Sequence, residues 1–265
     1  MATRVLEHRK IILRKSESLA FLLMLALCAE AVSRAKLVSP LYFPPVSKIA
    51  ITFFDLTVTG VLPSEVLKSF SRMASGYFLT AVITIPLGIM MGVSKRWYSL
   101  FEPLVELLRP LPPPAIIPVV MLFLGIGDSM KVFVVFFACS FPVITNTIDG
   151  VRSVHPVLVD TARSFGLSRY QIVSKVILPA ATPRIMSGLR ISLPISLIVT
   201  ILSEMIGSVD GIGHYILQMQ RMFNIPEMYA GIVMLGIVGY MLNSLIMRID
   251  RKLLAWHTGW KETGK

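Results

Sequence analysis

Four stretches of this chain, residues 73–94, 110–127, 132–148 and 228–247, contain no charged side chain at all. Each is close to the ~20 apolar residues that a helix needs to cross a bilayer. That constraint outranks every other, because irregular backbone at membrane depth is tolerated only against protein or water. Residues 185–209 are nearly as apolar, broken by Arg190 and Glu204, and residues 18–32 form a shorter run. Only 15% of the 265 residues are charged, against about 25% in a soluble domain. The expectation is an all-α membrane protein of about six transmembrane helices.

The formal net charge of +11 fits the positive-inside rule better than nucleic-acid binding. With both termini in the cytoplasm, the cytoplasmic segments hold Arg4, Arg9, Lys10, Arg14, Lys15, Lys95, Arg96, Arg152, Arg163, Arg169, Lys175, Arg184, Arg248, Arg251, Lys252, Lys261 and Lys265, while the outer segments hold Arg34, Lys36, Lys48, Lys131 and Arg221. The basic head, short apolar run and Ala29-x-Ala31 pair imitate a secretory signal peptide. A retained first span is the preferred reading, and the segment between residues 156 and 183 lies inside either way. Cys28 and Cys139 sit within apolar runs and read as packing residues. The four histidines have no metal-ligand spacing. No GxxxxGK[ST] motif occurs, so any ATP that drives this chain is bound elsewhere.

Residues 160–179, DTARSFGLSRYQIVSKVILP, are a polar but ordered insert between spans. Pro156 suits a first helical turn. Val157, Leu158, Thr161, Ala162 and Phe165 recur at helical spacing, and Gly166 is placed for a left-handed C-terminal cap. Ser168 and Gln171 form a capping-box pattern that starts a second helix. Pro179 is expected to end that helix, with Thr182-Pro183 as cap and first residue of the next span. The prediction is a rigid helix–turn–helix elbow at a membrane surface.

These residues carry a resemblance. Asp160-Thr161-Ala162, Gly166 and Val176-Ile177-Leu178-Pro179 fall at the spacing of the EAA loop of permease subunits of binding-protein-dependent ABC importers. Asp160 stands for Glu, Thr161 for Ala and Val176 for Ile, changes that keep size or charge. The stretches LRPLPPPAIIPVVMLFLGIG, FPVITNT and GVRSVHPVLVDTARSFGLSRYQIVSKVILPA are similar to the branch importing nitrate, aliphatic sulfonates and taurine. The resemblance implies a type I importer permease fold in the cell inner membrane, with residues 64–250 as its core. Residues 1–63 would form the N-terminal segment, first span and outside connection, and 251–265 a basic cytoplasmic tail. It implies a second permease copy, two ABC ATPase subunits carrying ATP and Mg, and a periplasmic or lipid-anchored solute-binding protein. This chain itself would hold no cofactor or metal and perform no catalysis. Asp160, Thr161, Ala162, Arg163, Phe165 and Gly166 would form the coupling helix that contacts the ATPase.

Elsewhere the polar content concentrates in the fifth span, at Ser196, Thr200, Ser203 and Glu204. Such groups face protein or water when inside a bilayer, so this face is a candidate lining of the solute path. For Glu204 a structural role at the outer interface, bonded to backbone amides, stays open beside substrate contact. Residues 33–63 read as a connection rich in turn formers. Gly88 and Gly92 form a GxxxG pair that permits close helix contact. Pro112, Pro113 and Pro114 force a break, either lining the path or kinking the surface. An ion-gradient carrier or channel would favour several carboxylates or histidines at mid-span, and only Glu204 qualifies, near one end. A membrane enzyme would need a Ser–His pair at common depth, which no span offers.

Overall fold

The computed structural model describes residues 20, 21, 23–39 and 41–253. It resolves into two compact units. One draws on the residues up to Leu62 with Ile216–Met234, the other on Pro63–Tyr215 with the residues from Leu235 onward.

In the first unit, residues 23–34 are helical, and α1 spans Val46–Val58. The bend between them is held by side chains. Ser33 Oγ donates to Phe43 O at 2.7 Å, and Glu30 accepts from Arg34 and from the Ser47 amide and hydroxyl. Phe43 packs edge-on against Tyr229 at 6.4 Å. Four prolines made residues 33–63 look like a connection without regular structure. Instead Pro45 sits as the N-cap of α1, where its missing N–H has no helical partner to lose. α1 leaves Ile51, Phe54 and Val58 largely exposed.

The second unit contains the long helices. α2 covers Val61–Val93, α3 Lys95–Leu108, α4 Pro113–Leu124 and α5 Asp128–Arg152. The elbow follows as α6, Pro156–Ser164, and α7, Arg169–Ile172. A π-helical turn at Val173–Ile177 leads into α8, Leu178–Gly207. α9 is Ile212–Arg221 and α10 is Ile225–Leu253, both drawing residues from each unit. Among the described residues four helices are long and apolar enough to cross a membrane, or five if α3 and α4, bent by 102°, make one broken span. The sixth span expected at residues 18–32 lies partly outside the described residues.

α8 packs against α5 and α4 around a core of Ile117, Val120, Met130, Val134, Val135, Ala138, Cys139 and Val199. α2 lies against α5 closely enough that a Cβ on Gly88 would stand 2.8 Å from Thr147, and one on Gly92 2.6 Å from Val151. The GxxxG pair therefore serves helix contact inside this chain. Asn146 donates to Pro142 O of its own helix at 2.8 Å, not to a neighbouring one.

Pro179 does not end a helix. The chain runs on from the π turn through Pro179 and Pro183 as one continuous rod from Arg169 to Gly207. The wide turn and Pro179's place in the first turn of α8 absorb the missing donor. Thr182 turns its hydroxyl back on Leu178 O at 2.8 Å and caps nothing.

Candidate functional site

The elbow is built almost entirely from local bonds. His155 Nδ1 accepts from the Val157 amide at 3.3 Å and Pro156 follows as the first helical residue. At the far end Gly166 takes φ +75°, a conformation that costs glycine nothing. Gly166 N donates to Arg163 O at 2.9 Å and Leu167 N to Ala162 O at 3.1 Å, the paired bonds of a Schellman cap. Ser168 N donates to Gln171 Oε1 at 2.8 Å, and Gln171 N donates to Ser168 Oγ at 3.3 Å. The turn between the helices is thus fixed from both sides. The N-cap role of His155 went unread, because the sequence places the start at Pro156 without a Ser, Thr, Asp or Asn before it.

Ala162 is buried and joins Val151, Ile172, Ile177, Ala181 and Ile185 in a small core beneath the elbow. The opposite face is open. Val157, Leu158, Phe165 and Tyr170 stand 60%, 51%, 79% and 80% exposed. Asp160, Thr161 and Arg163 are exposed too, with Arg163 paired to Asp160 at 3.2 Å. An apolar strip on a capped two-helix frame is a surface shaped for a partner.

A second cluster ties the other ends of the helices. Arg72 of α2 donates to Glu204 of α8 at 2.9 Å, to Asp128 at the start of α5 at 2.7 Å, and to Asp210 at 2.5 Å. Glu204 is fully buried; it also accepts from Ser69 Oγ at 2.8 Å and from the Gly213 amide at 3.0 Å. Ser69 in turn accepts from Ile212 N, and Glu65 from Gly211 N. Gly211, at φ +96°, leaves no room for a Cβ beside the Glu204 carboxylate. The hydrogen bond from Arg72 holds the Asp210 carboxyl below its ordinary 3.8, with Lys68 and Lys131 adding to the effect. A carboxylate and a guanidinium buried together persist only when so many donors and acceptors are matched.

Ser196, Thr200 and Ser203 are fully buried. Their hydroxyls donate to Leu193 O, Ser196 O and Thr200 O at 2.6, 2.7 and 2.7 Å. Of these four path candidates, Glu204 alone bonds to another element among the described residues. Arg190 pairs with Asp250 near the end of α10. Arg72 and Asp210 were not flagged from sequence.

Residues 84–255 match the family described as binding-protein-dependent transport system inner membrane component. The chain is 33% identical over 84% of its length to the putative aliphatic sulfonates transport permease protein SsuC of Bacillus subtilis, covering 81% of that protein. It is 31% identical over 85% of its length to the taurine transport system permease protein TauC of Escherichia coli, covering 84% of it. Its fold superposes on a chain of the inward-facing MetNI methionine ABC transporter with TM-score 0.66 at 20% identity, over 74% of this chain and 98% of that one. These findings favour the permease reading over an ion-gradient carrier. The chain belongs to the binding-protein-dependent transport system inner membrane components, the type I permeases of ABC importers.

Proposed function

We propose that this chain imports a small anion of the sulfonate, taurine or nitrate class. It does so as one of two identical permease subunits around a shared path in the inner membrane, with both termini in the cytoplasm. Two ATPase subunits, carrying ATP and Mg, dock on the elbow from inside, and a solute-binding protein delivers the anion from outside. Within that assembly Asp160, Thr161, Ala162, Arg163, Phe165 and Gly166 form the coupling contact. The observation that supports this reading best is the elbow itself. It is capped at both ends of α6 and at the start of α7, seated on Ala162, and bare on the side of Phe165 and Tyr170. A frame fixed in this way passes a push to the spans as a rigid body, which a loose loop cannot do.

The path residues are proposed on the same footing. The seam of Ser196, Thr200, Ser203 and Glu204 is closed in this conformation, so solute reaches it only when α8 parts from its neighbours. The test is co-purification of the permease with its ATPase, followed by ATP hydrolysis with the binding protein loaded in turn with taurine, an alkanesulfonate or nitrate. Stimulation by one of these anions is the expected result. An ATPase that neither co-purifies nor responds to any loaded binding protein removes the reading.

A further inference from the structure

Against the elbow, lined by none of Val157, Leu158, Phe165 and Tyr170, lies a cleft of about 760 Å³. Its walls mix two chemistries. Val93, Val151, Val159, Leu167, Ile172 and Ile177 are aliphatic, whereas Lys95, Arg163 and Arg169 bring three cations to the same space, and among the described residues no carboxylate lines it. Among the described residues Arg163 has only the exposed Asp160 as ion partner, at 3.2 Å, and neither Lys95 nor Arg169 has one. Ser94, also in the wall, makes no capping bond at the start of α3.

The place of the cleft is as telling as its lining. Val93 is the last residue of α2, Val151 lies in the last turn of α5, and Ile177 directly precedes α8. α2 and α5 end here and the rod that holds α8 passes beside them, so the cleft opens at the surface of the membrane leaflet that carries the elbow. A free inorganic anion would use the cations and leave the aliphatic walls without purpose. A segment of the ATPase would be expected on the face where Val157, Leu158 and Phe165 are exposed. An anionic phospholipid satisfies both halves of the lining at once, phosphate on the cations and chains along the valines and isoleucines. Basic pockets at the cytoplasmic ends of transmembrane helices bind such headgroups.

We propose that this cleft is a binding site for an anionic phospholipid of the inner leaflet, wedged between the coupling elbow and the ends of α2 and α5. The proposal rests on the orientation given above, with the elbow inside. A lipid seated there props the elbow, because Val159 and Arg163 face it from α6 and Ile172 from α7. Coupling then depends on lipid charge through defined residues rather than through general surface potential.

The experiment compares the permease–ATPase complex with its Lys95→Gln/Arg169→Gln variant. Native mass spectrometry after exchange with phosphatidylglycerol should show a retained lipid in the wild type. The double variant should hold it about thirtyfold more weakly, ~5-fold for each cation at an anionic surface. In vesicles of phosphatidylcholine, adding phosphatidylglycerol should raise solute-stimulated ATP hydrolysis by the wild type and leave the variant unchanged. Equal retention by both proteins, or an equal response of both to phosphatidylglycerol, overturns the site. Stimulation of the wild type by inorganic phosphate in pure phosphatidylcholine overturns it in favour of a free-anion site. Loss of the ATPase from the variant in either lipid overturns it in favour of a partner acid. Should the wild-type permease fail to hold its ATPase, the docking reading falls, while lipid retention by the permease alone still decides the cleft.

Discussion

Removing the Glu204 carboxylate leaves Arg72 buried with its deepest partner gone, and leaves the Ser69 hydroxyl and Gly213 amide without their acceptor. Breaking one side of a buried ion pair costs roughly 3 kcal/mol or more. Glu204→Ala should therefore lower the unfolding temperature of the detergent-purified protein well beyond any surface change. Glu204→Gln keeps an acceptor in place and separates the two roles left open for this residue. Lost transport with intact assembly marks a path or gating role, and poor assembly a structural one. Asp210 offers a subtler test. Its carboxyl titrates lower in the folded chain than in the unfolded one, so its contribution is full above the ordinary value and disappears only as the pH falls through the depressed one. The difference in unfolding temperature between wild type and Asp210→Asn should thus be constant from neutral pH down to about 4 and shrink below that. Glu204 and its bond to a backbone amide were legible in the order of residues, but the knot around Arg72 was not. The acids bound by Arg72 lie 56, 132 and 138 positions further along, and a lone arginine near the start of a span looks like any interfacial charge.

The elbow lends itself to prediction at the level of elements because nothing in its frame reaches further than five residues. Its start, turn and capping box were legible for the same reason. Gly166 has open space where a Cβ would go, so only its positive φ resists substitution, at ~1–2 kcal/mol for a side chain in the left-handed region. Asn tolerates that conformation and a β-branched residue does not. Gly166→Val should abolish solute-stimulated ATP hydrolysis while membrane insertion persists, and Gly166→Asn should retain much of it. Normal coupling in the valine variant would remove Gly166 from the contact. Gly92→Leu tests a different joint. With Val151 2.6 Å from the added Cβ, it must push α2 off α5 at about 1–3 kcal/mol, read as a lower unfolding temperature in the isolated permease. What the sequence hid at this scale was continuity. Proline at 179 reads as a stop after the preceding helix, but the wide turn before it and its place in the first turn of α8 let the helix proceed. α1 was hidden similarly, since its prolines precede the helix and do not interrupt it.

At the scale of the transporter, mass measurement of the solubilised complex should find two copies of this chain and two of the ATPase. Gly88 and Gly92 lend the pairing no support, being used within the chain. Single cysteines at Ser196, Thr200 and Ser203, placed after replacement of Cys28 and Cys139, should resist a water-soluble thiol reagent at rest and react once nucleotide is trapped on the partner. Protection in both states would make this seam a packing surface alone. The membrane class was legible because solvent preference is summed over whole segments, whereas the closed state of the seam depends on which helices face each other. The length of α8 joins the two sites. Its 30 residues run about 45 Å at 1.5 Å per residue, with the elbow at one end and Glu204 a turn from the other. A tilt of about 4° at Leu178 carries the far end sideways by about 3 Å over that length. That is one hydrogen bond's width, so under the proposed coupling α8 would act as a lever, a small stroke at the elbow sufficing to undo the Arg72 knot at its far end.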